Sequence, residues 1–278
     1  MKTYISILSL LAFGASQSHG VLLAYEPFDD IAGTTVPSNM PILAGSSSTD
    51  AVTSGSLTSP SGLEPSQDNK FSLTAGGNVT YGLSFTPTGS STGDTVYYSF
   101  LFELTDLSSL ATSSTNGPIL TLSTGTTKQV GAFSVALDAD NSSAFNIGFD
   151  ASNKGIGGGA VVDTTEYLAN TTYFIVVAYT PEGGLSGSGS LWVNPDSSSF
   201  GTETAPTVTL SDAGGYAADI ATLLLDKQYS ATPGFNVDEI RVGTSWADVT
   251  PATVPEPGHY AMLLGTATLG LLYIRRRK

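Results

Sequence analysis

The chain of 278 residues contains no cysteine. It therefore has no disulfide bond, no thiol nucleophile and no cysteine-ligated metal or iron–sulfur site, and its fold depends on burial and hydrogen bonding alone. Histidine is almost as scarce, because both histidines, His19 and His259, fall in the terminal segments. The chain between them can build neither a Ser-His-Asp triad nor a histidine metal site.

Positive charge is also scarce. Ten Lys and Arg stand against 24 Asp and Glu, which gives a net charge of −14. Lys2 and the last four residues supply five of the ten positive charges, so the region between the ends is more acidic still. Such a surface repels phosphate groups, and we expect neither nucleic acid nor an anionic membrane surface as a partner.

The N-terminus has the features of a signal peptide. Lys2 precedes a short apolar core at 5–13, and small residues follow the core. We predict cleavage after Gly20, with Ala24 as the alternative position. The core is too short to span a membrane, so residues 1–20 are predicted to be removed and the rest of the chain to be exported.

The C-terminal segment 254–278 has three parts. It begins Val-Pro-Glu-Pro, and its prolines favour an extended, accessible strip. A helix over 258–274 would be roughly 26 Å long, enough to cross a membrane. The segment ends in four basic residues, Arg275, Arg276, Arg277 and Lys278. Clustered positive charge predicts that this end stays in the cytoplasm as a membrane anchor.

This order of Pro255, Glu256 and Pro257, an apolar span and a short basic end resembles the PEP-CTERM sorting signal of exopolysaccharide-producing Gram-negative bacteria. The resemblance implies that the three residues are recognised by an exosortase-type membrane protease. It also implies a precursor anchored in the inner membrane, which then reaches the cell surface or the extracellular matrix. An ordinary tail anchor with a proline-containing stalk is the alternative.

Residues 21–253 carry the pattern of one all-β domain. They are rich in Ser, Thr, Gly, Val and aromatic residues, and short apolar alternations end at Gly, Pro, Asn or Asp. In 96–104 every second residue is apolar, which predicts a strand with one buried face. The segment 173–179 is apolar on both faces, as is expected of a central strand.

Further strands are predicted by shorter patterns of the same kind. They lie at 78–85, 119–123, 131–137, 144–149, 190–194, 207–210, 220–225 and 237–242. The polar stretch 37–67 is either a long surface loop or two edge strands. The Gly-rich and Ser-rich run 183–189 is interpreted as a flexible hairpin tip.

Two motifs lie near the ends of this domain, Tyr25-Glu26-Pro27-Phe28-Asp29 and the segment 237–249. They resemble the first and last strands of concanavalin A-like, laminin-G-type jelly rolls of exported bacterial proteins. The resemblance implies a two-sheet antiparallel jelly-roll sandwich whose first and last strands lie together. Asp238 and Glu239 interrupt the alternation and predict a β-bulge, and Arg241 is predicted to pair with a nearby carboxylate.

Paired carboxylates would indicate a glycoside hydrolase. Enzymes of this fold class place acidic residues on one strand face, as in Glu-x-Asp-x-x-Glu, to protonate the leaving group and attack the sugar. That motif is absent, and Asp238 and Glu239 are adjacent, so they would face opposite sides of a regular strand. We therefore expect no enzyme, with a glycoside hydrolase as the remaining alternative.

The expected function is that of a non-enzymatic component of the extracellular polysaccharide matrix. A lectin-like carbohydrate-binding module is the alternative. Its candidate sugar-stacking residues are the aromatics Trp192, Trp246, Tyr179 and Tyr216, although a core position is the other interpretation of each.

Asp138, Asp140 and Asn141 form the densest oxygen cluster of the sequence and are the candidate calcium ligands. The cluster lacks the glycine and the final glutamate of an EF-hand loop, so a polar turn is the alternative. No cofactor other than calcium is expected.

Overall fold

The computed structural model describes residues 20–253 apart from 47–48, 89–92, 113–116, 125–127, 153–158, 185, 216–218 and 228–231. Nearly all of the predicted signal peptide and the whole of segment 254–278, with its sorting motif and basic end, lie outside the described residues. Within the described ranges, no helix is long and apolar enough to cross a membrane.

Strands dominate the described part of the chain. They are β1 Leu22–Glu26, β2 Ile42–Ser46, β3 Ala51–Ser54, β4 Asn69–Leu73, β5 Asn78–Thr88, β6 Val96–Leu104, β7 Leu120–Ser123, β8 Gln129–Leu137, β9 Ala144–Asp150, β10 Val161–Val162, β11 Tyr167–Leu168, β12 Thr172–Gly183, β13 Ser186–Val193, β14 Leu210–Ala213, β15 Ile220–Asp226 and β16 Phe235–Gly243. Helical structure in these ranges is limited to a 3-10 turn at Ser197–Ser199 and the helix α1, Trp246–Val249.

The strands form two eight-stranded antiparallel sheets. The first sheet has the order β14-β13-β12-β6-β16-β4-β3, with β1 paired to β16. The second has the order β10-β9-β8-β7-β15-β5-β2, with β11 paired to β9. The all-β class and the two-sheet sandwich are therefore confirmed. The predicted contact of the terminal strands is confirmed as well, since Tyr25 of β1 pairs with Arg241 of β16.

The core lies between the sheets and is built largely from aromatic rings. The alternate residues of β6 that were predicted to share a buried face are all fully buried. Two of them, Phe100 and Phe102, contact Phe133 of the second sheet edge-on, with ring centroids 5.1 Å apart in each case. The Tyr98 hydroxyl donates to the Gly131 carbonyl of the facing sheet at 2.8 Å. These contacts join the two sheets.

Strand β12 is buried on both faces, as its sequence predicts. Ile175 and Val177 point into the core between the sheets, whereas Phe174 and Val176 belong to an outer apolar cluster on the other face of the first sheet. Loops carry Leu57, Leu63 and Phe200, and α1 carries Trp246 and Val249, onto this cluster. The outer face of the first sheet is therefore covered along part of its area.

The prediction of a hairpin tip at 183–189 is wrong for most of that run, because β13 begins at Ser186. Along Ser-Gly-Ser-Gly-Ser the glycines face inward. A Cβ added at Gly187 would collide with the Tyr179 hydroxyl, and one added at Gly189 would lie 2.5 Å from Cζ of Phe149. Core rings thus require the glycines, and the serines are left on the outer face.

The structure also decides between the two interpretations of the stretch 37–67 and corrects the start of one predicted strand. The stretch 37–67 contains the strands β2 and β3, each at the edge of a sheet, so the edge-strand alternative is confirmed. Strand β14 begins at Leu210 rather than at residue 207.

The predicted bulge at Asp238 and Glu239 is confirmed. The pairing of β16 with β6 shifts between Asp238 and Arg241, and Glu239 has a φ of 52°. The Arg241 guanidinium lies 3.0 Å from the Glu64 carboxylate and 3.3 Å from that of Glu239, which is the predicted ion pairing. The Tyr25 hydroxyl donates to Glu239 at 2.7 Å, and the guanidinium of Arg241 stacks on the Tyr25 ring.

Candidate functional site

One part of the first sheet's outer face remains open, across β6, β12, β13 and β14. Strand register places two rows of side chains there. One row consists of Tyr97, Ala178, Ser190 and Ser211, and the next of Thr95, Thr180, Ser188 and Ala213. These rows line a groove of about 580 Å³. Sites for small ligands usually have volumes of about 300–1,000 Å³.

A second depression of about 570 Å³ adjoins the first, and the two share Thr95 and Tyr97. It extends toward Ser245 and Trp246 at the start of α1. The two depressions together form a trough that crosses the strands, which we call the outer groove.

Most of the polar side chains that line the outer groove carry hydroxyl groups. The Thr95 and Thr180 hydroxyls hydrogen-bond to each other at 2.7 Å, and Ser188 donates to Glu182. Among the described residues, the hydroxyls of Ser190 and Ser211 have no hydrogen-bond partner. Both can therefore donate to, or accept from, a ligand.

Tyr97 lies at the centre of the outer groove, where the two depressions meet. It is partly exposed and packs at the border of the outer apolar cluster. Burial raises the pKa of its hydroxyl, so the hydroxyl stays neutral at physiological pH. Its neighbour on β12 is the small Ala178, which leaves space above the sheet. Tyr97 was not among the predicted site residues, because only the inner face of β6 was considered; the same alternation places Tyr97 on the outer face.

The two predicted tryptophans line this groove, but with little exposed surface. Trp192 is 5% exposed and lines the first depression, while Trp246 is 1% exposed and lines the second. Their rings meet edge-on with centroids 5.0 Å apart. Their indole N–H groups donate to backbone carbonyls of Pro206 and Ser199 at 3.0 and 2.9 Å. The structure uses these rings for packing rather than as exposed platforms.

The two predicted tyrosines lie elsewhere. Tyr179 is fully buried in the core between the sheets, on the face of β12 opposite the outer groove. Tyr216 lies outside the described residues.

The candidate calcium ligands form a turn after β8. One oxygen of Asp138 accepts the backbone N–H groups of Asp140 and Asn141, both at 2.9 Å, and the other accepts the Asn146 amide at 2.9 Å. These hydrogen bonds, with that from Asp140 foremost, lower the pKa of Asp138. The Asn141 amide donates to Glu166 at 2.7 Å. Within the described ranges no group of three or more acidic or histidine side chains is arranged for a metal ion. The calcium site stays a prediction.

Three acidic residues border the outer groove. Asp94 and Glu203 are exposed and line the second depression, and Asp212 lines the first. The Asp212 carboxylate accepts the backbone N–H of Ala151 at 2.9 Å, so part of its hydrogen-bonding capacity is used structurally. The outer groove thus offers hydroxyl groups, an aromatic ring and negative charge at its border.

A carboxyl with a shifted pKa lies away from this groove. Asp238 is fully buried at the bulge of β16, and burial raises its pKa to about 8. Its two oxygens accept the backbone N–H groups of Leu57 and Glu239, each at 2.9 Å. Asp238 therefore fastens the loop that contains Leu57 to the sheet.

No protein-family model and no curated protein matches the chain. Among solved structures it is similar to an endo-β-1,4-glucuronan lyase from the fungus Trichoderma reesei, at 13% identity and a TM-score of 0.41, over 73% of this chain and 91% of that chain. It is also similar to the globular domain of T. cruzi calreticulin, at 11% identity and a TM-score of 0.44, over 83% and 91% of the two chains.

A third similar structure is a carbohydrate esterase from the Shiga toxin-encoding bacteriophage phi24B, at 12% identity and a TM-score of 0.43, over 82% of this chain and 100% of that chain. None of the three similarities reaches a TM-score of 0.5. We therefore base the functional proposal on the residues of this chain.

Proposed function

We propose that residues 21–253 form a non-enzymatic, carbohydrate-binding jelly-roll domain of the concanavalin A-like type, which holds a polysaccharide chain in the outer groove. The observation that carries this proposal is a partly exposed tyrosine that shares an open sheet face with two rows of mainly hydroxyl-bearing side chains. A sugar presents many hydroxyl groups and apolar C–H faces. Ser190 and Ser211 match the first feature, and the ring of Tyr97 matches the second.

The dimensions of the outer groove favour an internal stretch of polymer over a single sugar. Its rows cross four strands, and neighbouring strands lie about 4.8 Å apart, so the outermost strands of the rows are roughly 14 Å apart. The second depression lengthens the trough beyond β6. A ligand that follows the trough runs across the strands and contacts several of them.

Binding without hydrolysis is part of this proposal. Glycoside hydrolysis needs two carboxyl groups on either side of one glycosidic bond. In the outer groove, Asp94 and Glu203 belong to exposed loops, and Asp212 is engaged with the Ala151 backbone. Incubation with a retained polymer should therefore release no new reducing ends, and their steady release would contradict this part of the proposal.

We further propose that the chain is exported and sorted through its C-terminal segment. Pro255, Glu256 and Pro257 are the motif that an exosortase-type protease in the inner membrane recognises. Processing of the membrane-anchored precursor leaves the domain at the cell surface or in the extracellular polysaccharide matrix. A host with this protease should yield a chain shortened by the mass of the C-terminal segment, and Glu256→Ala should block the shortening. Equal masses with and without the protease would contradict this route.

Retention of the full chain on immobilised polysaccharides tests the binding function. Cellulose, xylan, dextran and methyl-esterified homogalacturonan are the probes, each with calcium and with a chelator. Ser190→Trp should abolish retention because the indole fills the outer groove. Thr53→Trp is the matched control, since Thr53 is also a partly exposed hydroxyl residue on the outer face, at the far edge of the same sheet.

The outcomes of this experiment distinguish binding in the outer groove, binding elsewhere and no binding, and they test the calcium dependence. Equal retention of the two tryptophan variants, both with wild-type melting temperatures, would contradict binding in the outer groove. No retention of the wild-type chain by any polymer would favour the second candidate, a matrix component without a specific glycan ligand. Retention that requires calcium would support the predicted site at Asp138.

A further inference from the structure

We infer, building on the proposed function, that the outer groove accepts neutral polysaccharide chains and excludes chains that carry carboxylate or sulfate groups. The charges of its lining carry this inference. Asp94, Glu203 and Asp212 line the two depressions. Among the described residues, no lysine or arginine lines either one.

The few cations of the domain are placed elsewhere. Residues 21–253 contain five Lys and Arg and 23 Asp and Glu. Lys227 is buried in an ion pair, and Arg241 is held by two glutamates at the bulge of β16. Lys70 lies on β4, and Lys128 directly precedes β8 of the second sheet. The fifth, Lys154, lies outside the described residues.

Neutral and anionic sugars meet different conditions in this groove. A neutral sugar needs hydrogen bonds and a ring contact, which Ser190, Ser211 and Tyr97 can supply. A uronate or sulfate group would lose hydration, gain no cation, and lie near fixed carboxylates. Charges repel over a Debye length of about 8 Å at physiological ionic strength. The exclusion is therefore electrostatic and weakens when salt is added.

Polymer pairs that differ in charge test this inference with the full chain. The pairs are methyl-esterified and de-esterified homogalacturonan, dextran and dextran sulfate, and cellulose before and after oxidation of C6 to carboxylate. In each pair that binds, the neutral member should bind at least about tenfold more tightly at low salt. High salt should reduce the difference in affinity between the neutral and the anionic polymer.

Charge-removing variants make the test specific to the outer groove. The double variant Asp94→Asn, Glu203→Gln should bind the anionic polymer more tightly, and its ratio of neutral-polymer to anionic-polymer affinity should fall below that of the wild-type chain. Asp29→Asn with Asp68→Asn removes the same charge from exposed positions after β1 and before β4, outside the outer groove, and should leave the discrimination unchanged.

Failure of this inference and failure of the proposed function give different results. Equal or tighter binding of the anionic polymers, abolished by Ser190→Trp, would overturn the exclusion and leave binding in the outer groove standing. If neither member of any pair binds, both the exclusion of anionic polymers and the proposed binding function are overturned.

Discussion

A methyl group placed on Gly189 of β13 would stand 2.5 Å from Cζ of Phe149 in the facing sheet. The same methyl group would lie 2.8 Å from the Ala178 carbonyl oxygen, a backbone atom that cannot rotate away. The next residue, Ser190, points to the opposite face and lines the outer groove. Strand β13 therefore packs the core with one set of residues and forms the candidate site with the other.

Gly189→Ala should destabilise the fold by about 1–3 kcal/mol, because the added carbon forces a shift of the Phe149 ring or of the strand. Ser190→Ala, one residue away, should change stability by no more than about 0.5 kcal/mol. Denaturant unfolding of both variants measures the difference. Equal stabilities of the two variants would show that the Phe149 ring or the strand shifts to accommodate the added carbon at little cost in stability.

Replacing Lys227 should lower the free energy of unfolding much more than replacing an exposed lysine. Its Nζ lies 2.6 Å from Asp50, and both side chains are almost completely buried. Lys227→Met leaves a buried carboxylate without its cation, with an expected loss of about 3–5 kcal/mol. Lys128→Met, at an exposed position, should stay within about 0.5 kcal/mol of the wild-type stability.

A second substitution separates the charge effect from lost packing. Adding Asp50→Asn to Lys227→Met removes the unpaired charge, so it should restore part of the stability. A double variant less stable than Lys227→Met would indicate that packing of the lysine stem, and not its charge, accounts for the loss.

Stability should fall as the pH rises from about 4 to about 8. Burial raises the pKa of Asp238 to about 8 from 3.8, so the folded state keeps a proton that the unfolded chain has released in this range. The folded state then binds more protons than the unfolded state, and the free energy of unfolding decreases with pH. Burial also raises the pKa of Glu26, which adds to the slope with the same sign.

Thermal melting at several pH values checks this dependence. The melting temperature should be lower near pH 8.5 than near pH 5.5, and Asp238→Asn should flatten the profile. A wild-type melting temperature that rises across this range would contradict the assignment of a protonated Asp238.

The ring of Tyr97 should account for more of the polysaccharide affinity than its hydroxyl. Tyr97→Ala is expected to weaken binding about tenfold through loss of the ring contact. Tyr97→Phe should keep most of the affinity, because only one hydrogen bond is lost. Titration with a soluble fragment of the retained polymer measures both variants, and unchanged binding by Tyr97→Ala would place the ligand elsewhere.

Much of the fold could be predicted because alternation is a local property. The faces of β6 and β12, the bulge at Asp238 and the ion pairing of Arg241 all follow from the order of residues within one strand. The positions of Trp192 and Trp246 could not be predicted in this way. Each ring is covered by a segment distant in sequence, and aromatic residues suit both packing and stacking.

By itself the sequence determined that this domain is built from strands, and that it has no cysteine or histidine chemistry. Both conclusions depend on composition and on spacing along a single strand. Only the tertiary structure decided that Tyr97, Ser190 and Ser211 share one groove, since register across four strands brings them together. It also decided which part of the outer face stays open, because the covering loops and α1 come from distant parts of the chain.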